Sequence, residues 1–261
     1  MGNVGLLYVG AVLFINGLML LGFVPGRAAA PMNYFVGAMQ VIFPTIIIAQ
    51  SGGDPAMTLS ASGLYLFGFT YLYIAFNITF GLDGEGVGWF SLFVSGVAVV
   101  MSYLQFTLVG DPVFGVIWLL WAILWLMFYL VLALGMESLT AATGWFTVII
   151  AHLSATIPAL LLLSGAFQST GLWAGVLAVA GALALLISLA LGRQGVGRPQ
   201  SPPLPQLRDE VDGAEAPTLP ELIARTGRSD QGSQIVISSP PVSRSSRRVV
   251  NSPLRRRVPR S

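Results

Sequence analysis

The sequence predicts an all-α polytopic membrane protein with seven spans and a disordered tail. Three observations carry this reading. Between Gly2 and Leu191 there are only six acidic or basic side chains, Arg27, Asp54, Asp83, Glu85, Asp111 and Glu137, and each falls at a break between long apolar runs. Hydrophobic residues make up 55% of the chain and charged residues 9%, with a mean hydropathy of +0.78, values foreign to a water-soluble domain of this length. All thirteen basic residues are arginine, and twelve of them lie from Arg193 onward.

The breaks count the helices. Bilayer hydrocarbon satisfies no backbone polar group, so a run of about 20 apolar residues must bond to itself as a helix. Spans are expected near 4–24, 33–50, 61–81, 88–108, 113–135, 145–166 and 170–191. Arg27 separates the first two, and the Gly-Gly-Asp-Pro turn at Gly52 to Pro55 separates the second from the third. The Gly-rich loop with Asp83 and Glu85 precedes the fourth, Asp111 the fifth and Glu137 the sixth. The seventh, rich in Ala, Gly and Leu, runs twenty-two residues without a charge, too long for a soluble core helix. Its alanines at 174, 178 and 182 form a small-residue stripe expected to let it approach a neighbour closely.

The membrane part, 1–192, carries one arginine against five acids, whereas the tail carries twelve arginines against six. Residues 193–261 are rich in Pro, Ser, Gly and Arg and cannot bury enough surface to offset the entropy of ordering. Seven arginines between Arg244 and Arg260 suit the surface of anionic membrane lipids. Specific nucleic-acid binding is not expected, because no aromatic side chain interleaves them to stack on bases. Arg193 and Arg198 place the end of the seventh helix in the cytoplasm. Seven spans then put the N-terminus outside and Arg27 inside. The first apolar run lacks a preceding Lys or Arg, so no cleaved signal is expected, and Leu6 stands where a myristoylation motif needs Ser or Thr. With no cysteine there is neither a disulfide framework nor thiol chemistry.

Polar residues inside the spans are neutral almost throughout: Asn16; Gln40 and Thr45; Thr70, Tyr71, Tyr73 and Asn77; Ser91, Ser95 and Ser102; Thr147, His152, Ser154 and Thr156. Trp118, Trp121 and Trp125 are spaced to share one helix face. Ion-coupled carriers need a membrane-embedded carboxylate or Lys, and none is present, which argues against active transport. The lone His152 cannot build a metal site, and no nucleophile and base pair points to an enzyme. A path lined by amides, hydroxyls and aromatic rings suits a flat, uncharged solute that stacks on rings and exchanges hydrogen bonds at its edges. Each residue also suits a blander role: Asn16 as a helix contact, the tryptophans as packing groups, and Trp89, Trp145 and Trp173 as interface anchors.

Leu7-Tyr8-Val9-Gly10 with Asn16-Gly17, and Met32-Asn33-Tyr34-Phe35-Val36-Gly37, resemble the first two helices of the AmiS/UreI family of urea channels and amide transporters. The string Leu66-Phe67-Gly68-Phe69-Thr70-Tyr71-Leu72-Tyr73, continuing through Asn77 and Thr79-Phe80-Gly81-Leu82-Asp83, resembles its third helix; Trp118-Leu119 with Trp121 and Leu124-Trp125-Leu126 its fifth, and Ile157-Pro158-Ala159 its sixth. The resemblance implies a six-helix channel protomer over 1–168 that assembles as a homo-hexamer, each protomer enclosing a pore for urea or short-chain aliphatic amides. It implies pore constrictions at Leu13 and Asn16, at Phe67, Thr70 and Tyr71, and at Trp121, Leu124 and Trp125. The extra helix, 169–192, and the tail lie outside that core. Two departures stand out: the loops at Asp54 and Asp111 are short and without histidine, so acid gating is not expected, and Ile150 occupies a position where the urea channels carry a glutamate.

The expected function is a passive channel or facilitator in a bacterial inner membrane, without cofactor, supplying urea or amides to a cytoplasmic urease or amidase. The rival readings are a seven-helix sensor or scaffold acting through its basic tail, and an ion-coupled carrier.

Overall fold

The computed structural model describes residues 2–195. The remainder of the tail, with the expectations of disorder and of lipid contact, lies outside the described residues. Seven helices are long and apolar enough to cross a membrane: α1 (Gly2–Leu20), α2 (Gly26–Gln50), α3 (Pro55–Phe80), α4 (Glu85–Val109), α5 (Pro112–Leu132), α6 (Glu137–Leu163) and α7 (Gly171–Arg193). Together they make a multi-pass membrane bundle.

Three spans, α2, α3 and α6, begin six or more residues earlier than their hydropathy suggests. Helix α3 starts at Pro55 because Asp54 accepts hydrogen bonds from the amides of Ala56 (2.8 Å) and Met57 (3.3 Å), while Pro55 has no N–H to leave unpaired. Asp111 and Pro112 repeat the device at α5, with the Phe114 amide 2.9 Å from the carboxylate. These two acids are therefore helix caps. Helix α2 begins at Gly26 and runs through Pro31, seven residues before the expected start. The carbonyl that Pro31 leaves without a donor belongs to Arg27, in the first turn near the aqueous end, where water can answer it.

Lipid offers helices no hydrophobic drive to associate, so close approach must supply the contact. Antiparallel neighbours meet where one of them has glycine. A Cβ on Gly37 of α2 would sit 2.9 Å from the backbone nitrogen of Leu72 in α3, and one on Gly88 of α4 would sit 2.5 Å from the nitrogen of Ala133, just past α5. Gly17 of α1 faces the carbonyl of Gly144 in α6 in the same way, at 2.9 Å. Hydroxyls bind the α4–α5 pair as well: Ser95 donates to the Ala122 carbonyl (2.8 Å) and Ser102 to that of Gly115 (2.7 Å).

Two helices widen into π-turns, at Gln105–Val109 in α4 and Ala151–Thr156 in α6. Helix α7 packs on α5 and α6, but not through the stripe expected from sequence. Ala174 is buried, while Ala178 and Ala182 are exposed; the seam is Ala174, Gly181, Ala184 and Ser188. A four-residue step turns 40° past a full revolution, so three alanines at that spacing drift off the contact line, whereas a seven-residue step lags by only 20°. Gly181 lies against Leu120 of α5 and Gly192 against Ala142 of α6.

Candidate functional site

Two cavities meet at the tryptophan cluster of α5. The wide one, about 1110 Å³, opens at the end where α1, α3, α5 and α7 begin and is lined by Asp54, Ser60, Met101, Gln105, Asp111, Trp118 and Trp121 among others. The narrow one, about 10 Å³, is lined by Leu13, Asn16, Thr70, Tyr71, Ser91, Leu124, Trp125 and Phe128, with Ile74 and Val87. That volume is at the lower limit for a single water molecule.

An aromatic partition separates them. Trp121 faces the wide cavity and Trp125 the narrow one. The Phe67 ring stands edge-on to both, its centroid 4.6 Å from that of Trp121 and 4.8 Å from that of Trp125, at interplanar angles of 76° and 73°. Trp118 closes the cluster, T-shaped on Trp121 at 5.0 Å. All four are buried. Edge-to-face packing of this kind adds roughly 0.5–1.5 kcal/mol per pair beyond area burial. The indole N–H of Trp121 is held by the Ser154 hydroxyl (2.9 Å), and Ser154 donates in turn to the Ile150 carbonyl (2.7 Å). Ser154 lies in the π-turn of α6.

The structure thus gathers the eight residues singled out by resemblance. Six line the narrow cavity, Trp121 lines the wide one and Phe67 stands between them. His152 lies elsewhere, exposed on the outside of α6 with its ring 5.3 Å from that of Phe14.

Most polar side chains at the narrow cavity are already engaged. Thr70 donates to the Leu66 carbonyl (2.7 Å) and Ser91 to that of Val87 (2.7 Å). Asn16 pairs reciprocally with Asn33 of α2, at 2.9 and 2.7 Å, and Asn33 also donates to the Ala29 carbonyl (3.0 Å). This bookends Asn16 and leaves one of its N–H groups open. The Tyr71 hydroxyl is buried without any hydrogen-bond partner. No acidic or basic side chain lines the narrow cavity or the partition.

Sequence reasoning overlooked Asn33 as a site residue and treated Ser154 only as one polar group among several. The available signal for Asn33 was a second intramembrane amide inside the Met32-Asn33-Tyr34 string. Its importance is measurable. Asn16→Leu and Asn33→Leu each strand one buried amide and should cost about 1–3 kcal/mol. The double variant should fall short of the sum by about 0.6–1.7 kcal/mol, the usual coupling of a hydrogen-bonded pair in a membrane, as read from a double-mutant cycle of unfolding in detergent. Strict additivity would dismiss the pair.

The model of the AmiS/UreI family transporter matches residues 1–166. The chain is 54% identical over 192 residues to a putative transporter protein AmiS2 of Rhodococcus erythropolis, covering 72% of this chain and 93% of that one. It is 53% identical over 194 residues to a putative amidate substrates transporter protein of Mycolicibacterium smegmatis, covering 74% and 91%. Among solved structures it matches the urea channel of Helicobacter pylori with a TM-score of 0.57 and 33% identity, over 64% of this chain and 100% of the other. With its first six helices matched by the family model and its fold shared with that channel, the chain belongs to the AmiS/UreI family of transporters.

Proposed function

We propose that this protein is a passive channel for urea and short-chain primary amides. The observation that carries the reading is a route made of two cavities and one aromatic partition, without a charged group in its narrow part and with the Tyr71 hydroxyl open to a solute. A planar neutral amide can slide between ring faces and exchange hydrogen bonds with a hydroxyl, whereas an ion would find nothing to replace its hydration. Asn16, Thr70, Tyr71, Leu13 and Leu124 shape the narrow segment, and Phe67, Trp121 and Trp125 set its closure. The names of the relatives, two transporters and a urea channel, support the same solute class.

The protein works in a bacterial inner membrane with its N-terminus outside and its tail in the cytoplasm, the side to which Arg27 and Arg193 point by the positive-inside rule. It assembles as a hexamer, and its solute flows inward because a cytoplasmic urease or amidase consumes it.

Proteoliposomes mixed with urea or acetamide in a stopped-flow instrument should show faster solute entry by light scattering than empty vesicles, with no ion gradient and no response to an uncoupler. Entry no faster than through bare lipid, from folded protein, would refute the channel; entry that collapses with an uncoupler would point to a coupled carrier.

A further inference from the structure

The wide cavity is faced by a side-chain amide that bonds to no protein group. Gln105 is 9% exposed and lines that cavity, yet neither its carbonyl oxygen nor its amide nitrogen has a hydrogen-bond partner among the described residues. Of the other polar groups on the same walls, Asp54 accepts from the Ala56 and Met57 amides, Asp111 is engaged by the Phe114 amide and the Ser169 hydroxyl, and Trp121 donates to Ser154. Asn3 and Ser60 are exposed, so Gln105 is the buried side-chain amide of this cavity.

Backbone geometry explains how it comes to be there. Gln105 opens the π-turn of α4, and its own carbonyl accepts from the amides of Gly110 and Asp111, the latter at 3.0 Å. The next four residues, Phe106 to Val109, are exposed. Gln105 is therefore the last buried side chain of α4, and it shares the wide cavity with Trp118 and Trp121. Wide turns of this type occur disproportionately at functional sites.

We propose that Gln105 is a docking subsite for primary carboxamides and urea ahead of the aromatic partition. The proposal rests on the solute class inferred above. A primary amide carries its C=O and one N–H on the same edge, and a glutamine side chain carries the complementary edge, so the two join through a pair of hydrogen bonds. The molecule already contains this arrangement in Asn16 and Asn33. A trans secondary amide such as N-methylacetamide has its N–H and C=O on opposite edges and can make only one of the two bonds. Gln105 therefore favours unsubstituted amides over N-alkylated ones.

The test compares acetamide with N-methylacetamide in proteoliposomes of the full chain, for the wild type, Gln105→Met, which removes the amide at similar length, and Gln105→Glu, which keeps the shape without N–H donors. The wild-type ratio of the two permeabilities should exceed that of empty vesicles. Either variant should lower it about fivefold, the loss of one net hydrogen bond. Misfolding would abolish both fluxes together, so a selective change is diagnostic. A wild type that conducts with the same ratio as bare lipid overturns the subsite without any variant. A conducting variant with an unchanged ratio overturns it too, and assigns the selection to the partition while the channel reading stands. A wild type that speeds neither solute overturns both.

Discussion

Phe67→Ala should join the two cavities and raise acetamide permeability about tenfold, the effect of lowering a barrier by about 1.4 kcal/mol. Its ring is the one that touches both Trp121 and Trp125, so its removal takes away the centre of the partition while leaving Trp121 anchored on Ser154. Selectivity should fall with the barrier, so that a longer amide such as butyramide enters at a rate closer to that of acetamide. The same substitution should lower stability by about 3–5 kcal/mol, as large-to-small changes in a packed core do. Stopped-flow traces normalised to inserted protein, together with thermal unfolding in detergent, separate the two effects. Unchanged permeability with unchanged discrimination would show that the barrier lies elsewhere.

Gly88→Val should fail to yield a stable bundle. The added carbon would stand 2.5 Å from the nitrogen and 2.7 Å from the Cβ of Ala133, and a backbone cannot move aside as a side-chain tip can. Relief requires separating α4 from α5, which also breaks the Ser95 and Ser102 hydrogen bonds to α5 carbonyls. The expected cost is at least about 3 kcal/mol, visible as loss of the monodisperse peak in detergent. Gly96→Val is the matched control. It lies on the same helix with open space around it, and should unfold within about 0.5 kcal/mol of the wild type. Equal behaviour of the two variants would mean that glycine contacts do not seat this pair.

Much of this architecture was legible from hydropathy and charge, because lipid imposes a rule that sequence cannot disguise. Six charged side chains marked the breaks, and seven helices follow them. Boundaries drifted where local chemistry overrode hydropathy: the cap at Asp54 starts α3 six residues early, and Pro31 does not stop α2, whereas the cap at Asp111 starts α5 within one residue of the expected position. The stripe on α7 was misplaced because three alanines four apart looked like a seam, when the rotation per residue moves two of them to the outside. At the candidate site, the spacing of Trp118, Trp121 and Trp125 announced a shared face, and family likeness named the residues gathered around the partition. What stayed hidden were relations across helices. No pattern within α1 or α2 says that Asn16 and Asn33 meet, and no local signal says that α4 and α6 widen to bring Gln105 and Ser154 inward.

The mutual engagement of the interior amides and hydroxyls sets the character of transit. On the proposed route, a solute leaving the wide cavity meets Asn16 already joined to Asn33, Thr70 and Ser91 already turned onto their own helices, and only one Asn16 N–H and the Tyr71 hydroxyl left to bind it. On that proposed route, dehydration is the expected slow event and departure the fast one. The narrow segment of that route offers its cargo no deep resting place beyond the partition, so flow is expected to rise with solute supply and to respond steeply to warming.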